Sequence, residues 1–269
     1  MGIESASRHL EGAPSQHEID LLYTDALTMA DNAMTYRLVV KEIAVKHGVW
    51  ASFMPKPIFG QNGNGMHTHM SLFQGERNAF YDARNKYHLS PTARHYIAGL
   101  LKHAPEITLV TNQWVNSYKR LVPGYEAPVY TTWASVNRSD LVRVPSYKPG
   151  KESTIRVEYR SPDPACNPYL AFAVMLAAGL EGIEQKYKAP NPMEENVVEM
   201  SDAQREKAGI QTLPQDLSKA IDLAEGSTLM RNALGDHVFE KFIANKKIEW
   251  ANYRAQVTGY ELKQHLKIL

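Results

Sequence analysis

A single cysteine, Cys166, stands in the 269 residues, so the chain can close no disulfide within itself. Such sparing use of cysteine is typical of a reducing compartment, and a cytoplasmic location is the expectation. Long apolar runs are missing as well. A helix needs about 18 to 20 apolar residues to cross a bilayer, and the longest candidate, from Tyr169 to Leu180, is shorter and carries Gly179. The opening residues lack the charged-then-apolar pattern of a secretory leader. Neither sign of charge dominates: 30 basic residues meet 29 acidic ones, for a formal net charge of +1. That balance provides no long-range pull towards nucleic acid or an anionic membrane surface, and neither partner is expected. What the chain does have is 43% hydrophobic residues and 22% charged ones, enough to bury a substantial core.

Repeats and low-complexity tracts are absent. Residues 25–47 read as an amphipathic helix, with Leu27, Met34, Leu38, Ile43 and Val45 near helical spacing and Gly48 as a stop. Residues 50–59 and 65–73 read as strands on either side of a Gly/Asn-rich turn, and 91–103 as a second helix after a Ser-Pro start. Strands are expected at 129–136 and 154–160. Asn167-Pro168 opens an apolar helix reaching about residue 187. A Pro/Glu/Gln-rich surface excursion then fills 188–214, and two amphipathic helices finish the chain. Strands and helices mix without regular βα alternation, which points to an α+β fold.

Four groups of residues can carry chemistry. Glu11 and Glu18 flank Gly12 and Pro14, residues that favour a turn bringing the two carboxylates together as hard oxygen ligands for Mg²⁺ or Mn²⁺. Alternatively, they are two solvated glutamates. In Gly65-Met-His67-Thr-His69-Met-Ser71, strand alternation puts His67, His69 and Ser71 on one face, where they suit a metal, a phosphate, or simply a half-buried polar surface. The preceding turn lacks the Gly-Lys-Ser/Thr of a phosphate loop and the third glycine of a dinucleotide motif, so any nucleotide is bound differently.

Arg156-Val-Glu158-Tyr-Arg160 presents a carboxylate between two guanidiniums, held ionised for a cation or used in a cross-strand ion-pair ladder. Arg120, Glu126, Arg138 and Arg143 surround a Pro123-Gly124 loop, a pattern that fits a carboxylate or phosphate site with a mobile lid. Together these residues are the equipment of phosphoryl transfer.

In this order the segments resemble the catalytic domain of bacterial and archaeal type I glutamine synthetases. The likeness runs through the whole chain. It is most specific at Met54-Pro-Lys-Pro, Gly65-Met-His-Thr-His69, Asn116-Ser-Tyr-Lys-Arg-Leu-Val-Pro-Gly124, Asn137-Arg-Ser139 and Arg160-Ser-Pro-Asp-Pro-Ala-Cys-Asn-Pro-Tyr-Leu-Ala-Phe172. The resemblance implies one domain over 1–269, a curved antiparallel sheet flanked by helices, with 188–269 mainly helical. It implies Glu11 and Glu18 as ligands of one cation, and His67 and Glu158 as ligands of a second beside the γ-phosphate. Asn62, Gly63, Arg120 and Arg160 match positions that hold glutamate, and Arg138 and Arg143 match phosphate contacts. Tyr23, His69, Ser71, Arg156 and one of Lys148 or Lys151 lie on the nucleotide side. Glu126 matches a flap carboxylate that guards the intermediate and helps deprotonate ammonium.

The implied activity is ATP-dependent joining of ammonia to glutamate through γ-glutamyl phosphate, with two Mg²⁺ or Mn²⁺ ions in homo-oligomeric rings. Family members carry an N-terminal β-grasp domain and a Glu-x-Glu strand that would precede Met1. The chain is therefore expected to be an N-terminally truncated form, with little or no ligase activity by itself. Ala6, Leu10 and Gly12 depart from the family pattern near the same end, and no adenylylated tyrosine is found near Asn196. Two other readings remain: a sibling ligase joining glutamate to a polyamine or another amine, against which Glu126 argues, and a non-catalytic remnant, against which the retained ligands argue.

Overall fold

The computed structural model describes residues 2–135 and 140–269. Its elements begin where short polar side chains can accept from the first free amides of a helix. A hairpin comes first, β1 (Ser5–Leu10) and β2 (His17–Leu21), followed by α1 (Ala26–Lys46), which Asp25 caps by accepting from the Thr28 amide at 3.0 Å. Three short strands follow, β3 (Thr68–Met70), β4 (Phe73–Gln74) and β5 (Arg77–Asn78). Ser90 caps α2 (Pro91–Thr111), whose first position is proline. Next come α3 (Ser117–Arg120), β6 (Trp133–Ala134), β7 (Val142–Arg143), a single 3₁₀ turn at Glu152–Thr154 and β8 (Val157–Tyr159). Asn167 accepts from the amides of Tyr169 and Leu170 to start α4 (Pro168–Glu184).

The last part is helical: a 3₁₀ turn at Val197–Glu199, then α5 (Asp202–Lys207), α6 (Leu217–Glu225), α7 (Thr228–Leu234), α8 (Asp236–Arg254) and α9 (Gly259–His265). Four helices thus stand where two were expected after residue 214. Ser227 caps α7, and Gly235, at φ 74°, ends it and starts α8, so local punctuation cuts one apolar pattern into pieces. The 188–214 excursion also holds α5, closed by a capping box between Ser201 and Gln204.

α2 runs to Thr111 rather than stopping near residue 103, and it contains Pro105. A mid-helix proline costs about 3 kcal/mol. Ile107, Leu109 and Val110 beyond it are fully buried, and their burial outweighs that cost. Against α2 lies α4, and glycines line the seam. A Cβ on Gly99 would sit 2.1 Å from the Ala178 carbonyl oxygen, and one on Gly182 would sit 2.3 Å from that of His95. Backbone therefore meets backbone there, and Tyr96, Ile97, Leu100, Val174 and Met175 pack around the crossing.

The same core extends to Val142, Val157 and Tyr159 of a mixed sheet ordered β3-β8-β7-β6. β8 is antiparallel to both neighbours, while β6 runs parallel to β7. These strands are shorter than the sequence predicts. Residues 50–59 form none, because Pro55 and Pro57 remove the amides a ladder would need.

The first hairpin and α1 sit outside this core. Every residue of β1 is exposed, and Ala30 alone is buried in α1. Arg37 fastens the helix by donating to the carbonyls of Pro164 at 2.7 Å and Cys166 at 2.9 Å, and Tyr169 donates to Asp31 at 2.6 Å.

Candidate functional site

Glu158 lies at the centre of the polar face of the sheet. In the register of β3, β8 and β7, His69 and Arg143 stand directly opposite it on either side. Residues paired this way share a face of the sheet. Its carboxylate is 1% exposed. It accepts from Arg160 Nη1 at 2.6 Å and from Arg143 Nε, and His67 Nδ1 lies 3.2 Å away. Burial would raise its pKa, but the His67 contact and the Arg160 charge overcome this and hold the group well below the usual carboxylate range. The neighbours Ile155, Val157 and Tyr159 are buried on the other side, as the alternation of residues 154–160 predicts.

Both histidines are kept neutral. Burial lowers the His67 pKa, and the charges of Arg160 and Arg120 lower it further against the pull of Glu158. His69 falls to about 4, chiefly through burial, with Arg156 and Arg143 adding to the effect against Glu158. Arg156 Nε donates to His69 Nδ1 at 3.1 Å, so the ring's own proton sits on Nε2, leaving that atom a donor. The histidines also differ in setting: the strand starts only at Thr68, so His67 precedes it and reaches Glu158 from the end of the Gly/Asn-rich turn.

That turn is pressed against a buried arginine. Arg120, at the end of α3, is 2% exposed and donates to the carbonyls of Ser161 at 2.5 Å and Arg160 at 3.1 Å; burial lowers its pKa to about 10. A Cβ on Gly65 would lie 2.6 Å from Arg120 Nη2 and 3.0 Å from His67 Nε2. One on Gly63 would lie 2.4 Å from the Pro55 carbonyl. Glycine is required at both positions to let the chain pass. Beneath the arginine, Asn112 donates to the Ser161 carbonyl at 2.8 Å and to buried Asp163 at 3.0 Å.

The other acidic group is on the first hairpin. Its register sets His9 opposite Glu18, and the 11–16 turn is closed by Glu11 N donating to the Gln16 carbonyl at 3.0 Å. Glu11 and Glu18 come into hydrogen-bond contact. The bond lowers Glu11, while burial and then Glu11 itself raise Glu18 to about 7. Two carboxylates sharing one proton in this way suit a cation that would replace it. His9 Nε2 lies 2.9 Å from Glu11 and 3.8 Å from Glu18.

Gln16 joins the hairpin to the turn. It donates to the Gly63 carbonyl at 3.0 Å and to Asn64 Oδ1 at 2.8 Å, while its own oxygen accepts from Ala13 N at 3.1 Å. Gly12 also abuts Asn62, where a Cβ would come within 3.3 Å of Nδ2. A continuous path therefore leads from Glu11 and Glu18 through Asn62, Gly63 and Arg120 to His67 and Glu158.

Arg138 falls outside the described residues. Glu126 is exposed, and its neighbour Tyr125 takes the Lys56 ammonium over its ring at 3.5 Å. Lys148 and Lys151 are exposed on the loop between β7 and β8, Tyr23 is 87% exposed, and Ser71 is half-buried just after β3. Sequence reasoning missed His9, Gln16 and Lys56. For His9 a signal existed: it stands two residues before Glu11 on a strand and takes the place opposite Glu18 once the turn is set.

As a donor set, two carboxylates with an imidazole, and a carboxylate with an imidazole, suit divalent cations. Anions would be served by Arg143, Arg156 and Arg160 alongside. Known proteins resemble this chain in sequence and in fold. The family described as "Glutamine synthetase, catalytic domain" matches residues 1–265. The glutamine synthetase of Mycolicibacterium smegmatis is 55% identical over 268 residues, which is 100% of this chain and 60% of the relative. That of Methanosarcina mazei is 52% identical over 269 residues, again 60% of the relative. A solved GmaS/ADP complex is similar in structure with a TM-score of 0.89 at 35% identity, over 99% of this chain and 60% of that one. This chain thus spans about three-fifths of the length of these relatives.

Proposed function

The chain belongs to the family of glutamine synthetase catalytic domains, and from that membership we propose that it supplies the nucleotide- and metal-binding face of an ATP-dependent glutamate–ammonia ligase. The observation that carries the reading is Glu158, buried and held ionised between Arg143 and Arg160 with neutral His67 beside it. His67 and Glu158 would hold one Mg²⁺ or Mn²⁺, and Glu11 and Glu18 the other. Such ions, when bound, neutralise charge on the phosphoryl group in transfer.

The protein's own groups do the rest. Arg143, with Arg138, meets the phosphate oxygens. His69 offers its Nε2 proton to the nucleotide phosphates, on the side of Arg156, Ser71, Tyr23 and Lys148 or Lys151. Asn62, Gly63 and Arg160 receive glutamate, and Arg120 fixes the carbonyls of residues 160 and 161 around it. The glutamate side-chain carboxylate attacks the γ-phosphorus, ADP leaves, and ammonia then displaces phosphate from γ-glutamyl phosphate. Glu126 takes the proton that ammonium must lose. The loop carrying it closes over the intermediate and keeps water away.

Calorimetry with Mn²⁺ and ATP, followed by assay of γ-glutamyl products from ammonium, methylamine and a polyamine, tests the reading. The expected result is binding of Mn²⁺ and ATP in the micromolar to millimolar range. The 269 residues alone, three-fifths of the relatives' length, are expected to form glutamine only near background. Absence of Mn²⁺ and ATP binding at millimolar concentrations overturns the ligase reading and favours a non-catalytic chain. Product from an amine in preference to ammonium moves the chain to a sibling ligase.

A further inference from the structure

Beyond α4 the chain returns over the start of α2 and leaves a cavity of about 310 Å³ between them. Both walls depend on backbone that few side-chain-bearing residues adopt. Lys186, at φ 51°, ends α4 where glycine is more usual. Its amide donates to the Ile183 carbonyl at 3.2 Å, and the Tyr187 amide to that of Gly182 at 3.0 Å. The turn brings Lys188 and Ala189 back to α2, where His95 Nδ1 lies 2.7 Å from the Tyr187 carbonyl. Opposite, His88 at φ 54° folds residues 82–89 into a loop, closed by the Asp82 amide donating to the His88 carbonyl at 3.0 Å.

The lining has a definite chemistry. Leu89, Pro91 and Ala189 give it apolar surface, and Arg94 and Lys188 bring two cations. Neither cation has an ion-pair partner or a ring beneath it among the described residues. A carbonyl only accepts, so His95 carries its proton on Nδ1 and keeps Nε2 as a free acceptor. Asp82 also lines the cavity, but Arg84 already engages it through its amide at 3.0 Å and its guanidinium at 3.5 Å. Unpaired cations beside apolar surface, with an acceptor at hand, are complementary to a small anion that has an apolar body and a hydroxyl.

We propose that this cavity is an effector site for a small hydroxylated organic acid, and that filling it tightens nucleotide binding. The carboxylate goes to Arg94 and Lys188, and the hydroxyl donates to His95. The coupling follows from what lies behind the wall. The His88 ring packs on that of Tyr147 with centroids 4.3 Å apart, and Tyr81 lies 5.6 Å from Tyr147. Tyr147 directly precedes Lys148. Its hydroxyl donates to Glu152 at 3.1 Å and accepts from the Gly150 amide at 3.2 Å, closing the loop that carries Lys148 and Lys151. A ligand that braces residues 82–89 therefore steadies the loop assigned to the nucleotide, which then loses less freedom when ATP binds. The pocket stands apart from the ligase reading, whereas the coupling rests on it.

The probe is 4-hydroxybenzoate, with uncharged 4-hydroxybenzamide as its control. Saturation-transfer NMR and calorimetry follow both on three chains: the parent, Arg94→Gln/Lys188→Gln, and Ala189→Trp. The first variant changes only exposed side chains, and the second fills the cavity. The expected result is millimolar binding of the acid to the parent, about tenfold or more weaker in both variants, and little binding of the amide. At saturating probe the ATP dissociation constant, measured with Mn²⁺, should fall about fivefold, and ATP should tighten the probe by the same factor.

Loss of the probe in both variants together with tighter ATP supports the proposal. Equal binding to all three chains, equal binding of acid and amide, or no binding at tens of millimolar overturns the site. Binding that needs Arg94 and Lys188 but leaves ATP affinity unchanged overturns the effector role. A chain that binds the probe but no ATP, with or without it, overturns the ligase reading and the coupling together, while the pocket stands.

Discussion

Replacing Glu158 by alanine tests the electrostatic centre of the site. The carboxylate is 1% exposed and faces two guanidiniums, one of them 7% exposed (Arg160) and the other 27% (Arg143). Removing one partner of a buried ion pair costs about 3–5 kcal/mol, because the opposing charge keeps its desolvation penalty without compensation. Arg143 can relax partly into water, which discounts its share. Arg160 cannot, and the truncated side chain also leaves a small void. The sum points to a loss of about 3 kcal/mol for Glu158→Ala. Glu158→Gln keeps the volume and one acceptor but turns an amide towards the second guanidinium, so about half that loss is expected. Urea unfolding followed by far-ultraviolet circular dichroism measures both. With a slope of about 2–3 kcal/mol per molar urea, the alanine variant's midpoint should drop by roughly 1 M. A drop under a quarter of that for alanine, or a glutamine variant weaker than the alanine one, would refute the idea that Glu158 is the main counter-charge here.

The remaining predictions concern space and protons. Gly65→Ala puts a Cβ 2.6 Å from Arg120 Nη2, which two carbonyls hold in place, so a loss of about 1–3 kcal/mol in urea stability and weakened Mn²⁺ binding at His67 are expected. Gly99→Ala forces α2 off α4 by meeting the Ala178 carbonyl at 2.1 Å, and a fall of several degrees in Tm by calorimetry is expected. Asp140 is fully buried, and burial pushes its pKa to about 7. The folded protein therefore holds this proton up to about pH 7 while the unfolded chain releases it near its ordinary value, and stability falls as pH rises between the two. Asp140→Asn removes that slope, so the variant should gain on the order of 1–3 kcal/mol over the parent at pH 8 and little at pH 4, read from urea midpoints at both.

Helices were legible in the sequence wherever their signals were local. Ser90-Pro91 and Asn167-Pro168 announce two starts, and the structure puts caps at both. The far end of α2 was not legible, because Pro105 argues for a stop, and only the burial of Ile107 to Val110 against distant segments argues otherwise. Sheet strands two or three residues long cannot be seen in a pattern that needs four or more. The alternation at 154–160 survives because Val157 and Tyr159 face a core while Glu158 faces charges.

In the site, Glu11 and Glu18 could be paired from the turn residues between them. The bond from Arg156 that fixes the His69 tautomer could not be read, nor could the burial of Arg120 under Gly63 and Gly65, since these depend on segments far apart in sequence. Lys56 was quoted as part of a motif, yet its contact with the ring of Tyr125, at the base of the Glu126 loop, appears only in three dimensions.

The Gln16 amide has a consequence for spacing. It is a rigid planar group with one end in the hairpin turn and the other on Gly63 and Asn64, and Asn64 in turn donates to the Met54 carbonyl at 2.8 Å. It therefore acts as a ruler between the first hairpin and the Gly/Asn-rich turn. A pull on one passes through this short strut to the other, so the two segments keep a common spacing.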